Sequence, residues 1–324
     1  MVKDSFDSKG RFDSIEILKI LENYSDSDNI LTMGEIVRKT ENKPDRRTVY
    51  KMIQHLIYSG YDISTYTDNG KGYYLIRDIN ESEINLLTNA VYSFPFISSD
   101  HTNELVNKLR KLLSVPKRKN FTHLTLSDRN KKVDNQEVFN NIEIIDEAIE
   151  KNRKISFHYY KYDFDKKLHP HRKEPYVMNP YRIIYSNQHC YLVCNLCGHN
   201  GTAMYRIDRI KDVEILKEKR DKEPPEESEY RNTLYGYAGK QELVVLKCDN
   251  KVLTEIIDQF GTDIILIPNK DETFTAHIRI SPGGMVYWAL QFMKHVEVIE
   301  PLWLRKEIVD AINNSKYMQE GETK

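Results

Sequence analysis

Residues 181–210, YRIIYSNQHCYLVCNLCGHNGTAMYRIDRI, constrain the fold more than any other stretch of the chain. Aromatic and β-branched residues fill three short runs, at 181–185, 190–196 and 203–207, separated by polar turn-forming residues. That is the pattern of short antiparallel strands joined by two tight turns. Arg182, Arg206 and Arg209 sit among Tyr181, Tyr191 and Tyr205. Guanidinium forks can hold an anion and aromatic rings can stack against a base, so the stretch reads as a binding module.

Its flanks extend the same pattern. Val138, Ile142, Ile145 and Ile149 predict a helix, and residues 154–160 a strand with Ile155, Phe157 and Tyr159 on one face and His158 on the other. A loop of mixed charge over 161–175, a turn at Asn179-Pro180 and a closing strand at 213–216 complete a small SH3-like β-barrel. Arg206 and Asp208 alternate with Tyr205 and Ile207, so that one face of the strand carries charge while the other packs. The competing arrangement pairs Asp208 with Arg209 and leaves Arg206 solvated at the rim. Of the 4 cysteines, three lie here, at Cys190, Cys194 and Cys197, near His189 and His199. Thiolate and imidazole suit zinc, but a structural zinc site draws a second ligand pair from a separate knuckle, and these all fall in one hairpin. They read as buried free thiols, with no metal and no other cofactor.

A chain of 324 residues implies two or three domains. The net charge of -1 hides an asymmetry, since basic residues gather at 38–51 and 108–132 and acids at 221–229. Phe12, Ile15, Leu18 and Leu21 predict a first helix, and Thr32 with Glu35 has capping-box spacing for a second. A third is N-capped by Asp45 and buries Val49, Met52, Ile53, Leu56 and Ile57. Its other face carries Arg46, Arg47, Tyr50, Lys51 and Gln54, with Thr48 near the N-terminal end, and these groups can pair with phosphates and read base edges. Strands at 61–66 and 73–76 around Asn69-Gly70 then predict a hairpin with Lys71 at its tip. Three helices and a hairpin make a winged helix. A helical connector follows, with Ile84, Leu87 and Val91 inward in one helix and Leu105, Leu109, Leu112 and Leu113 inward in another over 103–113. Lys108, Arg110, Lys111, Lys117, Arg118 and Lys119 are cations that either touch DNA phosphate or stay solvated.

The run PDRRTVYKMIQHLIYSGYDISTYTDNGKGYYL is similar to the winged helix of bacterial DeoR-like regulators, with Arg47-Thr48 and Gly72-Tyr73-Tyr74-Leu75 at the matching places. The leading helix, ISFHYY, NPYRIIYSNQHCYLV and MYRIDRIKDVEIL together resemble the WYL domain, a ligand-sensing module. Its name-giving tripeptide stands here as Cys190-Tyr191-Leu192, without the first aromatic ring. The resemblance implies that Tyr191, Arg206 and Arg209 face an anionic or nucleotide-like ligand. His158, Tyr181 and Arg182 are further candidates.

Past Pro224-Pro225 the chain alternates β-α-β-β-α-β and ends in a helix with Leu304, Ile308 and Ile312 inward, a ferredoxin-like order. Val298-Ile299-Glu300-Pro301 and Leu304-Arg305 resemble the C-terminal extension that accompanies WYL domains, which implies dimerisation and adds Arg279 as a ligand contact. Trp288 and Trp303 read as core or dimer contacts. The expected architecture is α+β and multidomain: a winged helix at 1–78, a helical connector at 79–135, a WYL sensor at 136–220 and a ferredoxin-like extension at 230–324.

No phosphate loop, Gly-x-Ser-x-Gly elbow, His-Glu-x-x-His or dinucleotide fingerprint occurs in the chain, so no enzyme is expected. His169 and His171 beside Asp163 and Asp165 belong to a charged, solvated loop. No apolar run approaches the roughly 20 residues that span a bilayer, and the expectation is a cytoplasmic protein with no membrane partner. The expected partners are double-stranded DNA, a small anionic or nucleotide or oligonucleotide effector, and a second copy in a homodimer. The alternative is an accessory protein whose sensor binds single-stranded DNA or RNA. A zinc hydrolase built on the cysteine cluster is a third reading, which metal analysis would remove.

Overall fold

The computed structural model describes residues 8–118, 132, 135–186, 188–197, 201–231 and 233–318, with side chains from residue 14 onward. The side chain of Phe12, and Lys119 and His199 altogether, lie outside the described residues. The chain divides after Asp134 into two compact units.

In the first unit α1 (Ser8–Tyr24), α2 (Met33–Lys39) and α3 (Arg46–Tyr58) close around Ile17, Leu21, Ile36, Val49 and Ile53. The caps that start these helices are local. Thr32 accepts from the Glu35 amide while its own amide donates to the Glu35 carboxylate at 2.8 Å, and Asp45 accepts from the amides of Arg47 and Thr48 at 2.9 and 3.1 Å. Ile15 turns outward at 49 % exposure, because Ser14, Ile17, Leu18 and Leu21 take the inner face.

The hairpin departs from expectation. Its paired strands are only β1 (Ile63–Ser64) and β2 (Tyr74–Leu75), and in place of a tight Asn-Gly turn stands a one-turn helix, α4 (Tyr66–Asn69). Thr65 and Asp68 form a second capping box, Gly70 ends the turn at φ 69°, and the Asn69 carboxamide accepts from the amides of Lys71 and Gly72 at 2.7 and 2.9 Å. These side-chain bonds offer the backbone an alternative to the ladder. Leu31 and Tyr73 exchange backbone hydrogen bonds at 2.9 and 2.8 Å, which fastens the hairpin to the start of α2.

Two more helices follow, α5 (Glu81–Ser93) and α6 (Ser99–Lys111). Helix α6 starts before the expected residue 103 because Ser98 caps it, and its buried positions are Thr102 and Val106. Leu112, at the helix end, is 50 % exposed while Leu113 is buried, and in α5 Leu87 is exposed while Thr88 joins Ile84 inside. Several of the connector cations are engaged within the unit: Lys108 pairs with Glu104 at 2.6 Å, Lys117 with Asp28 at 2.7 Å, and Arg118 donates to the Leu113 carbonyl. Lys132 donates to the carbonyls of Val91 and Phe94, at the C-terminal end of α5.

The second unit opens with α7 (Val138–Glu150) and a curled six-stranded sheet: β3 (Arg153–Tyr162), β4 (Leu168–Pro170), β5 (Tyr176–Ser186), β6 (His189–Leu196), β7 (Ala203–Arg206) and β8 (Ile210–Lys219). The order is β4-β3-β5-β6-β7, and β8 returns to pair with β3. Phe157, Met178, Leu192, Ile207 and Ile210 fill its inside with Ile145 of α7. Asn179-Pro180 is not a turn but lies within β5, where the register shifts by one residue. Proline has no amide to give the ladder, and a bulge lets the strand continue past it. The buried Asn179 amide donates to Asn195 at 2.8 Å and Asp221 at 2.7 Å. Part of the expected charged loop pairs instead as β4 against the end of β3, with Lys166 at φ 63° in the turn. His169 there pairs with Asp165 at 2.8 Å, and His171 bonds the Tyr176 hydroxyl. Residues Ile207–Arg209 are a 3-10 turn, so Asp208 does not continue the strand face of Arg206.

The same unit continues through β9 (Glu242–Asp249), α8 (Leu253–Phe260), β10 (Ile265–Pro268), β11 (Thr273–Ile280), α9 (Met285–Gln291), β12 (Val296–Glu300) and α10 (Leu302–Asn313). All pairings are antiparallel, in the order β10-β11-β9-β12. Trp288 lies in the core between Phe260 and Phe292, each 4.9 Å away, whereas Trp303 is 48 % exposed and donates to Glu242 at 3.2 Å.

Candidate functional site

On the first unit α3 buries Val49, Met52, Ile53 and Leu56 and leaves Arg46, Arg47, Tyr50, Lys51 and Gln54 exposed. Thr48 is half-buried and its hydroxyl donates to Asp45 at 2.6 Å, so it helps close the helix cap. Lys71 is exposed in the hairpin. Between the starts of α2 and α3 runs an open groove of about 610 Å³, lined by Thr32, Gly34, Arg38, Arg46 and Tyr66. Tyr66 did not stand out in the sequence because it ends a run that reads as strand, and Arg38 is there only one member of the basic stretch 38–51.

On the second unit a polar cluster forms where β6, β7 and the 3-10 turn meet. Tyr191 and Arg206 are register partners on β6 and β7. Arg206 grips Asp208 through Nε at 3.1 Å and Nη2 at 2.7 Å, and Asp208 is fully buried. Burial opposes the charge on Arg206, but the hydrogen bonds and charge of Asp208 outweigh it and hold its pKa above the ordinary value. Arg209 behaves differently. Its Nε is buried with no hydrogen-bond partner among the described residues, and its guanidinium carbon lies 5.7 Å from the Tyr162 ring centre. Tyr159 and Tyr191 feel both arginines, although burial raises both phenols. His189 stands edge-on to Tyr191 with ring centres 6.2 Å apart, and its buried Nδ1 likewise has no partner among the described residues. Burial and then the Arg206 charge lower its pKa, which favours the neutral ring.

Tyr191, Arg206 and Arg209 therefore come together, and the other candidates are dispersed. Tyr181 is buried in a separate group, with the Arg220 guanidinium 5.4 Å from its ring centre and burial pushing its phenol up to about 12. Arg182 is exposed on β5, and His158 lies 3.3 Å from Asp212 on β8. Arg279 is exposed on β11 at a cavity of about 700 Å³ shared with Gln241, Gln259, Asp263 and His277. Sequence reasoning missed His189 and Tyr159 as members of the cluster. Their signal is slight, one preceding Tyr191 by two residues and the other reading as core. The buried Cys190 thiol, pushed up to about 12 by burial, touches this neighbourhood through Tyr185 and Asp208.

Residues 140–215 match the model of the WYL domain, and residues 240–314 match that of the WCX domain. The chain carries a WYL domain and a WCX domain. The WYL match contains Tyr191, Arg206 and Arg209, and the WCX match contains the cavity-lining Arg279. A Bacillus subtilis (strain 168) protein described as an uncharacterized HTH-type transcriptional regulator, YobV, is 24 % identical over 293 residues, covering 85 % of this chain and 90 % of that one. Among solved structures, proteasome accessory factor B/C of Arthrobacter aurescens aligns over 95 % of this chain at 15 % identity and a TM-score of 0.27. This chain covers 49 % of that protein's length. A CRISPR Cas-related protein aligns over 96 % of this chain and 86 % of its own, at 17 % identity and a TM-score of 0.36. No helix among the described residues is long and apolar enough to cross a membrane.

Proposed function

We propose that this WYL-domain protein is a cytoplasmic transcription regulator that binds duplex DNA through a winged helix and responds to an anionic effector held by the WYL domain. The observation that carries the reading is α3, a capped helix with one face wholly buried and three cations, a phenol and an amide on the other. Such a helix presents its N-terminal residues to base edges while the flanking cations meet phosphate. The paired β1 and β2 supply the wing, with Lys71 beside it. Likeness to a protein described as an HTH-type transcriptional regulator supports the same reading. The β10-β11-β9-β12 order supports a ferredoxin-like extension, through which two copies would pair on a two-fold site.

The cluster at Tyr191, Arg206 and Arg209 supplies the sensor. Arg206 is already neutralised by Asp208, whereas Arg209 hydrogen-bonds the Tyr159 phenol and keeps a buried Nε without a partner among the described residues, so its charge is the one offered to an anion. Regulation requires the effector to bind the DNA-competent and incompetent states unequally. The test is a mobility-shift series on duplex DNA from upstream of its own gene, run at several salt concentrations. Arg47→Ala and Lys51→Ala each weaken binding and reduce the salt slope by about 1. Unchanged affinity and slope in both variants overturn the recognition-helix assignment.

A further inference from the structure

We infer that the four-stranded C-terminal sheet carries a ligand site of its own, a cavity at the free edge of β11 that takes a small zwitterion, an apolar amino acid or dipeptide. The site does not depend on Arg209 meeting an anion. It opens because β10 is shorter than β11. Ile265, the first residue of β10, pairs with His277, and β11 runs on through Ile278, Arg279 and Ile280, which pair with Val244, Leu243 and Glu242 of β9. On the other side of these three no strand among the described residues pairs with them. Gly261 closes α8 at φ 84°, where the chain turns before it enters β10. The N–H and C=O of a strand residue point to the same side, and that side alternates along the strand. Either Arg279, or both Ile278 and Ile280, therefore turns a backbone donor and acceptor into the gap, and such groups need a partner from water or a ligand.

The cavity there, about 700 Å³, is of the size of small-molecule sites, roughly 300–1,000 Å³. Phe260 and Ile264, both partly buried, and the exposed Leu243 and Ile265 give it an apolar wall. Arg279 and Asp263 line it as well, and neither has a hydrogen-bond or ion-pair partner among the described residues. A cation and an anion that share one cavity and leave each other unpaired match a ligand that carries both charges. A phosphate suits Arg279 but is repelled by Asp263. A zwitterion answers both: its carboxylate takes the guanidinium fork of Arg279, its ammonium takes Asp263, and the site gains no net charge. The ligand's apolar side chain then covers the wall at Phe260 and Ile264, and the Gln259 carboxamide adds donors and an acceptor for its remaining polar atoms. In a dipeptide the extra amide is a partner for the open backbone of β11.

Calorimetric titration of the full chain with leucine and leucyl-leucine, each also as its C-terminal amide and its N-acetyl form, tests this. The free zwitterion is expected to bind about ten-fold tighter than either blocked form, the scale of one hydrogen bond to a charged group. Arg279→Gln abolishes the preference over the amide and keeps that over the N-acetyl form, and Asp263→Asn does the reverse. Both side chains are exposed, so the variants are expected to melt at the parent's temperature. Leucyl-leucine binding tighter than leucine makes a peptide the source of the ligand, and leucine binding as tightly or tighter makes it the free amino acid. Absence of binding by both, blocked forms that bind as the zwitterion does, or variants that keep both preferences overturns the site.

Discussion

Arg206, itself still partly exposed, holds the fully buried Asp208 by two parallel hydrogen bonds. The pair joins the end of β7 to the turn before β8, and Asn135 seals the other side by donating to the Asp208 carbonyl at 2.9 Å. Removing one partner of a buried pair leaves the other charge uncompensated. Asp208→Asn is therefore expected to cost about 3–5 kcal/mol in urea unfolding of the full chain. Arg209→Ala, which breaks no such pair, should cost a small fraction of that and act on ligand binding instead.

Gly72 is buried where no side chain fits, since a Cβ would run into the Leu31 carbonyl. That carbonyl accepts from Tyr73, so moving it breaks the bridge that fastens the hairpin. Gly72→Ala should destabilise the first unit by about 1–3 kcal/mol and weaken DNA binding, read by thermal melting and mobility shift. Gly70→Ala has open space around it and bears only the strain of φ 69°.

Acid should weaken the first unit in a defined window. Hydrogen bonds from Thr32 to Glu35, from Thr48 to Asp45 and from Thr65 to Asp68 hold all three carboxyls below their ordinary values. Because the folded values are the lower ones, their contribution is complete above the unfolded carboxylate value of about 4 and is lost as pH falls through the lowered values. Melting curves from neutral to acid pH should show this loss, with a smaller dependence in Asp45→Asn, whose amide caps at every pH.

Thiol reactivity should separate the cysteines. Burial pushes Cys190 and Cys248 up to about 12 and Cys194 higher still. Cys197 is only half-buried, and the Lys154 ammonium offsets part of the rise that burial causes. Brief alkylation of the native chain followed by peptide mass analysis should find Cys197 labelled first, and all 4 thiols labelled after unfolding.

Much of the first unit was legible because its signals are local. Thr32 with Glu35, and Asp45 before α3, cap helices through neighbours in the chain. The same logic was overlooked at Thr65 and Asp68, where a capping box is embedded in a run that also reads as strand. Pro180 shows a different limit. Whether Asn-Pro makes a turn or a bulge depends on the strand beside it, and Asn195 and Asp221, which hold Asn179, are 16 and 42 residues away. In the site, the approach of Tyr191 to Arg206 follows from pairing two recognisable strands. The burial of Asp208 and the contact of Gly236 with Tyr191 are set by tertiary packing that no local pattern carries.

Strand β3 pairs with β4, β5 and β8, and the last of these matches Arg153 with Lys219. During synthesis β3, β5 and β6 can assemble as soon as they emerge, but one edge of β3 stays open until β8 has been made. Closing that chain distance is the slow, non-local step. Until it happens Asp208 has no buried seat beside Ile210, so the polar cluster is among the last parts of the curled sheet to form. A ribosome stalled within β8 would carry a sheet with a bare edge, exposed to pairing with another nascent chain.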